Sequence, residues 1–274
     1  MSTRVVVVTG SASGIGAACS KRLAAQGATV IGIDLREAEI TTDLGTDDGR
    51  RSALDAVADR TGGRLDGLVT CAGVAGAPSR PGSTVASVNY FGSIALLEGL
   101  RPLFSSSPMP AAVAISSNST TIQPAIPSDL VAALLDGDEE VARVAADGAG
   151  AVATYAASKL AIAYWVRRHA VTEEWAGSGI RLNAVAPGMV DTPLVAEPEM
   201  RPLVEALPIP VGRPGRPEEI AALVDLLLGP DGGFFCGSVV LVDGGTEALL
   251  RPTDWPAAWD VDLRTLGKLF SGES

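Results

Sequence analysis

The run Val5-Val6-Val7-Val8 passes without a break into Thr9-Gly10-Ser11-Ala12-Ser13-Gly14-Ile15-Gly16, and this junction restricts the chain more than any other feature. A continuous apolar run that ends on a turn signal reads as a strand buried on both faces, as in a parallel sheet covered by helices. Ile15, Ala18, Cys19 and Leu23 then recur at helical spacing, and Gly27 supplies a stop. Strand, glycine-rich turn and helix in this order begin a βαβ unit.

Further apolar runs continue the pattern at Thr29 to Ile33, Ile40 to Thr42, Leu68 to Cys71, Ala111 to Ser116, Ile180 to Ala186 and Ser238 to Val242. Helical segments lie between them, so the expected class is α/β, a Rossmann-type doubly wound parallel sheet of about seven strands with helices on both faces. Two stretches interrupt the alternation. Residues 123–150 carry helix-like pieces around Ser128 to Leu135 and Asp138 to Asp147, separated by Gly137. Residues 189–216 are rich in Pro and apolar side chains, and long ordered loops of that kind are often lids. A catalytic domain is expected over 1–250, followed by a tail at 251–274 that holds Trp255 and Trp259 and no sheet element.

Composition narrows the function. The formal charge of -11 repels nucleic-acid phosphates and anionic lipid, and Lys and Arg form no cluster. No apolar run reaches membrane-spanning length, which points to a cytoplasmic protein with neither nucleic-acid nor membrane partners. Cys19, Cys71 and Cys236 lack metal-ligand spacing and read as reduced thiols. The single histidine, His169, rules out a His-rich metal site, and its place after Arg167-Arg168 on a helix suits a structural or exposed residue.

The glycine turn has its own chemistry. Gly10 permits the tight turn, Gly14 lets backbone approach a pyrophosphate, and Gly16 allows close helix packing, while the helix N-terminus offers N–H groups to the anion. Asp34, at the end of the second strand, stands where a carboxylate accepts hydrogen bonds from an adenosine ribose. A carboxylate there disfavours a 2′-phosphate, so NAD is expected over NADP; Arg36 argues the other way, but the loop itself carries no basic residue.

Tyr155 and Lys159 stand one helical turn apart on one face. A phenol, with a pKa of about 10, is a poor proton acceptor at neutral pH, and a neighbouring cation stabilises the phenolate. Other motifs follow in order along the chain: Cys71-Ala72-Gly73, Asn89 within Val88-Asn-Tyr-Phe-Gly92, Ile115-Ser116-Ser117, Pro187-Gly188 with Thr192-Pro193, and Val242-Asp-Gly-Gly245. With these the chain resembles the short-chain dehydrogenase/reductase family. The resemblance implies an NAD-dependent enzyme in which Tyr155 is the general acid/base and Ser117 orients the reacting oxygen. Ser116 is the alternative. It further implies that Lys159 binds the nicotinamide ribose, that Asn89 supports a proton-carrying water chain, and that Thr192 holds the carboxamide with Ile15 and Val190 near the ring. Asp43 matches the adenine contact, although capping the next helix would also explain it. The implied cofactor set also takes in Ser13, Leu44, Ala72, Gly73, Pro187 and Gly188.

The segment from Gly73 to Asn89 is short for the family and that from Ser117 to Tyr155 is long. Ile31-Gly-Ile-Asp34-Leu-Arg36, Ser87 to Gly92 and Leu250-Arg-Pro-Thr253 look most like the bacterial 3α-hydroxysteroid dehydrogenase/carbonyl reductase branch. That resemblance implies a secondary alcohol or ketone on a bulky ring, consistent with Met189, Leu194, Val195, Leu203, Leu207 and Ile209 in the lid; a small polar alcohol is the alternative, as is a silent NAD(H) sensor. Family members pair through the helices bearing Asn89 and Tyr155. The insertion emerges beside that surface, so a homodimer through 217–245 is expected instead.

Overall fold

The computed structural model describes residues 3–254. All seven expected strands are present: β1 (Val5–Thr9), β2 (Thr29–Asp34), β3 (Ile40–Thr41), β4 (Gly67–Thr70), β5 (Ala111–Ile115), β6 (Arg181–Pro187) and β7 (Val239–Val242). They form one parallel sheet in the order β3-β2-β1-β4-β5-β6-β7. The chain runs outward from β1 to β3 and then returns to the other flank of β1. That reversal opens a crevice beyond the carboxyl ends of β1 and β4, where ligands bind in doubly wound sheets.

Alternate residues of each strand face opposite sides, and both sides are apolar. One face carries Val7, Ile33, Leu68, Ala114 and Leu182 against α2 (Asp47–Thr61), α4 (Gly92–Leu100) and α8 (Ala151–His169). The other carries Val6, Val8, Val69, Val113 and Val185 against α1 (Gly14–Ala25) and α10 (Pro217–Leu228). This two-sided burial is why the strands read as unbroken apolar runs.

Between α2 and α4, α3 (Gly82–Ala86) continues into a π turn at Ser87–Phe91. After β5 come α5 (Ser119–Ile122) and the insertion helices α6 (Ser128–Asp136) and α7 (Glu139–Ala149). Gly137 ends α6 at φ 84°, and Asp138 caps α7 by accepting from Val141 N. Both helices pack on α8, and α7 also packs on α3. The segment 189–216 contains α9 (Arg201–Ala206), and α11 (Thr246–Leu250) follows β7. Trp255 and Trp259 lie outside the described residues. No described helix is long and apolar enough to cross a membrane.

Candidate active site

The crevice holds every catalytic and cofactor-binding candidate except Asn89; of the apolar residues expected to face it from 189–216, Leu194 and Val195 line it, whereas Met189, Leu207 and Ile209 do not. Gly10, Ser13, Gly14, Ile15 and Gly16 line one wall, Asp34, Asp43 and Leu44 the end beyond β2, and Ala72 and Gly73 the floor. Ser117, Tyr155 and Lys159 lie at the other end, with Pro187, Gly188, Val190 and Thr192 opposite them.

The glycine turn is built by close backbone approach. Gly10 has φ +66°, and a Cβ there would stand 2.9 Å from Ala72 N; one on Gly16 would stand 2.1 Å from the Gly10 carbonyl oxygen. The hydroxyl of Thr9 accepts from Ala72 N at 2.9 Å and so ties the ends of β1 and β4 together. Ser13 caps α1 without a side-chain hydrogen bond, and the first turn of that helix has no acidic residue. The free N–H groups therefore suit an anion. Across the turn Asp34 accepts from Ala12 N at 3.0 Å and from Leu35 N at 2.7 Å. These bonds occupy one lone pair on each oxygen and leave acceptor capacity toward the cleft. Helix α2 is capped by Thr46, which accepts from Gly49 N at 3.1 Å, so capping does not explain Asp43; its carboxylate accepts instead from Gly45 N at 2.8 Å. Such a cradle fits a dinucleotide.

At the other end, the adjacent serines diverge. Ser116 Oγ donates to the Lys159 carbonyl at 2.8 Å and points into the core, whereas Ser117 bonds the Tyr155 phenol and also accepts from Ser119 N at 3.1 Å. Lys159 Nζ donates to the Ile115 carbonyl at 2.8 Å and lies 5.9 Å from the centre of the Tyr155 ring. Burial of the ammonium lowers its pKa to about 8. Burial also pushes the Tyr155 phenol above its ordinary value, and the hydrogen bond from Ser117 pulls it partly back. In the protein alone the partner that lowers the tyrosine is therefore Ser117, where the sequence suggested Lys159.

Asn89 is fully buried in the π turn, accepting from Val74 N at 2.8 Å and donating to Val74 O at 3.1 Å. Val74 in turn lines the cleft, so Asn89 reaches it through the loop after β4. Among residues that the sequence reading passed over, Val74, Val88, Leu35 and Thr42 also border the cleft; each adjoins a motif residue, which is the only local signal they carry. Cys71 borders it too, its thiol held well above the usual range by a hydrogen bond to Cys19 and by burial, and so neutral. His169 is bound to the Trp165 carbonyl at 2.8 Å and stacked on its indole, a structural role.

A family model described as short chain dehydrogenase matches residues 4–127, and one described as enoyl-(acyl carrier protein) reductase matches 141–247. A 3-alpha-hydroxysteroid dehydrogenase/carbonyl reductase of Comamonas testosteroni is 36% identical over 92% of this chain and 99% of its own. The chain belongs to the short-chain dehydrogenase/reductase family. Among other members, the cis-4-hydroxycyclohexanecarboxylate dehydrogenase of Sinomonas cyclohexanicum is 34% identical, over 90% of this chain and 97% of its own. The crystal structure of the 3-alpha-hydroxysteroid dehydrogenase from Pseudomonas sp. B-0831, complexed with NADH, superposes with TM-score 0.86 at 46% identity, covering 92% of this chain and all of that one. The sheet that positions Tyr155, Lys159 and the glycine turn has the family's fold.

Proposed function

We propose that the protein interconverts a secondary alcohol and a ketone with NAD(H), on a bulky apolar ring substrate such as a hydroxysteroid. The observation that carries this reading is one continuous cleft with a carboxylate, Asp34, at one end and the Ser117, Tyr155, Lys159 group at the other. Val74, Val190, Pro193, Leu194 and Val195 line the cleft, and an apolar wall of this kind favours uncharged ligands. The named activities of the Comamonas and Sinomonas relatives, on a steroid or ring alcohol, support the substrate class, and the NADH in the Pseudomonas structure supports the cofactor.

When bound, NAD(H) supplies the hydride acceptor or donor; the chain's own residues do the rest. Ser117, whose oxygen accepts from Ser119 N, donates its hydroxyl proton to the Tyr155 phenol in the protein alone and would turn it to the substrate oxygen to orient it. Tyr155 takes the proton from that oxygen in the oxidation direction and returns it in reduction. Lys159, with one N–H spent on Ile115, keeps the others for a ribose hydroxyl. Asn89 holds Val74, and with it the loop at the floor of the site. Pro193, Leu194 and Val195, which line the cleft, exclude water from it.

We place the enzyme in the cytoplasm, in keeping with free thiols at Cys19, Cys71 and Cys236, and as a homodimer built on the edge strand β7. The test is turnover with NAD on a ring-bearing secondary alcohol against a short sugar alcohol. Ring preference is expected by kcat/KM, and preference for the polyol would overturn the substrate class. Tyr155→Phe is expected to slow turnover on the order of 10² to 10⁴-fold with NAD binding nearly unchanged. Full activity in that variant would refute the assignment of the acid/base.

A further inference from the structure

The first residue of the insertion helix α7, Glu139, is bonded to Ser87 and to Arg50, next to turns that border the cleft. Arg50 of α2 is buried, with 7% of its side chain exposed, and its guanidinium is shared between chain segments distant in sequence. It pairs with the carboxylates of Asp47 and Glu139, and its Nη1 also donates to the Leu44 carbonyl and to Glu139 Oε1, both at 3.4 Å. The same Glu139 Oε1 accepts from Ser87 Oγ at 2.7 Å, and Ser87 accepts from Arg143 Nη1 at 3.3 Å. Leu44 and Val88 are cleft-lining residues, and each is bonded to, or next in sequence to, a partner in this network. A Cβ on Gly45 would stand 2.9 Å from Val88 Cγ2, so the two walls also touch directly.

We propose that Glu139 and Arg50 are positioning residues for the adenine end of the cofactor site, so that the insertion takes part in binding NAD. The inference rests on the NAD reading given above. A planar guanidinium bound to one carboxylate through both nitrogens fixes angle as well as distance. Glu139 thereby sets the Asp43–Leu44 turn on one wall and the Ser87–Val88 turn on the other. Helix α7 is itself anchored on α3: Asp147 accepts from Ser83 N at 2.8 Å, and a Cβ on Gly82 would stand 2.0 Å from the Ala146 carbonyl oxygen. Removing Glu139 leaves the buried Arg50 with one carboxylate, Asp47, which is 71% exposed, and the 3.4 Å bond to the Leu44 carbonyl, and loosens both walls at once.

AMP isolates the adenine end from the reacting end, so its binding by calorimetry, beside that of NAD, is the measurement. For Glu139→Ala the dissociation constants of AMP and NAD are expected to rise together, on the order of tenfold, and Glu139→Gln is expected to restore part of the loss. A Glu139→Ala protein that melts earlier but binds AMP as the parent does would overturn the inference, since a merely structural role predicts that result. Should Glu139→Ala fail to fold, Ser87→Ala carries the test, because it removes one hydrogen bond and no charge. A twofold to threefold rise in the AMP constant would support the proposal, and no change would overturn it. If the unaltered protein binds neither AMP nor NAD, the cofactor reading itself falls and this inference with it.

Discussion

Asp34 and Lys159 are single charges whose surroundings decide what they can do. Asp34 already accepts two backbone N–H groups, which hold its carboxylate at the edge of the cleft. A 2′-phosphate brought to about 4 Å would meet a repulsion of about 4 kcal/mol at an effective dielectric near 20. NAD is therefore expected to exceed NADP in kcat/KM, and Asp34→Ala to narrow the gap; an equal or reversed preference in the parent would count against the ribose contact. Lys159 is buried, and its pKa falls to about 8. An unfolded lysine titrates near 10.4, so between these values the unfolded chain binds more protons and this group makes stability rise with pH. Below pH 8 the cost of burying the ammonium is fully present. Lys159→Met should then gain more stability over the parent at pH 7.5 than at pH 9.5, read from urea unfolding, and an equal gain at both would contradict the buried charge. Sequence made both residues visible through their spacing from the glycine turn and from Tyr155. It left Ser116 and Ser117 open, because neighbours at a strand end diverge by geometry that no motif records: one bonds the Lys159 carbonyl and the other the phenol.

At the scale of elements, what could be read was what repeats. Strands buried on both faces show as valine and alanine runs, and Gly137 and Asp138 announce the break between α6 and α7. The segment 189–216, which we propose as a lid, has no period, and its fastening is non-local. Glu199 accepts from Ser79 N at 3.0 Å and from Ser79 Oγ at 2.6 Å, and Glu197 pairs with Arg80 at 3.3 Å, across about 120 residues of chain. The Ser79 bonds hold the Glu199 carboxyl below the usual range, so it stays ionised at neutral pH. Exposed bonds of this sort open easily, and the segment they hold is among the first to exchange amide protons. Glu199→Gln combined with Ser79→Ala should speed hydrogen exchange across 197–206 several-fold and raise KM for the alcohol, with α1 unaffected. Unchanged exchange in that segment would show that the latch does not hold the lid.

For the whole molecule, two described surfaces are candidates to receive the second copy proposed above. The sheet ends on β7, whose residues Val239, Val240, Leu241 and Val242 are all only partly buried, and an apolar edge left uncovered invites pairing. Phe234, just before this strand, is fully exposed, and Val171, beside Gly237, is 69% exposed. A second candidate surface lies over the insertion, where Val141 and Val144 face outward at 57% and 75% exposure and Val152 of α8 is 52% exposed. The two predict different variants. Burying a phenylalanine contributes about 2 kcal/mol, and a twofold interface counts it twice, so Phe234→Glu should weaken a dimer built on β7 on the order of 10³-fold. Val144→Glu should leave that dimer intact, because α7 packs on α3, α6 and α8 and not on β7. Light scattering over a concentration series distinguishes them. A dimer that falls to monomer with Phe234→Glu and survives Val144→Glu is expected, and the reverse pattern would move the interface to the insertion and expose β7 as a true edge.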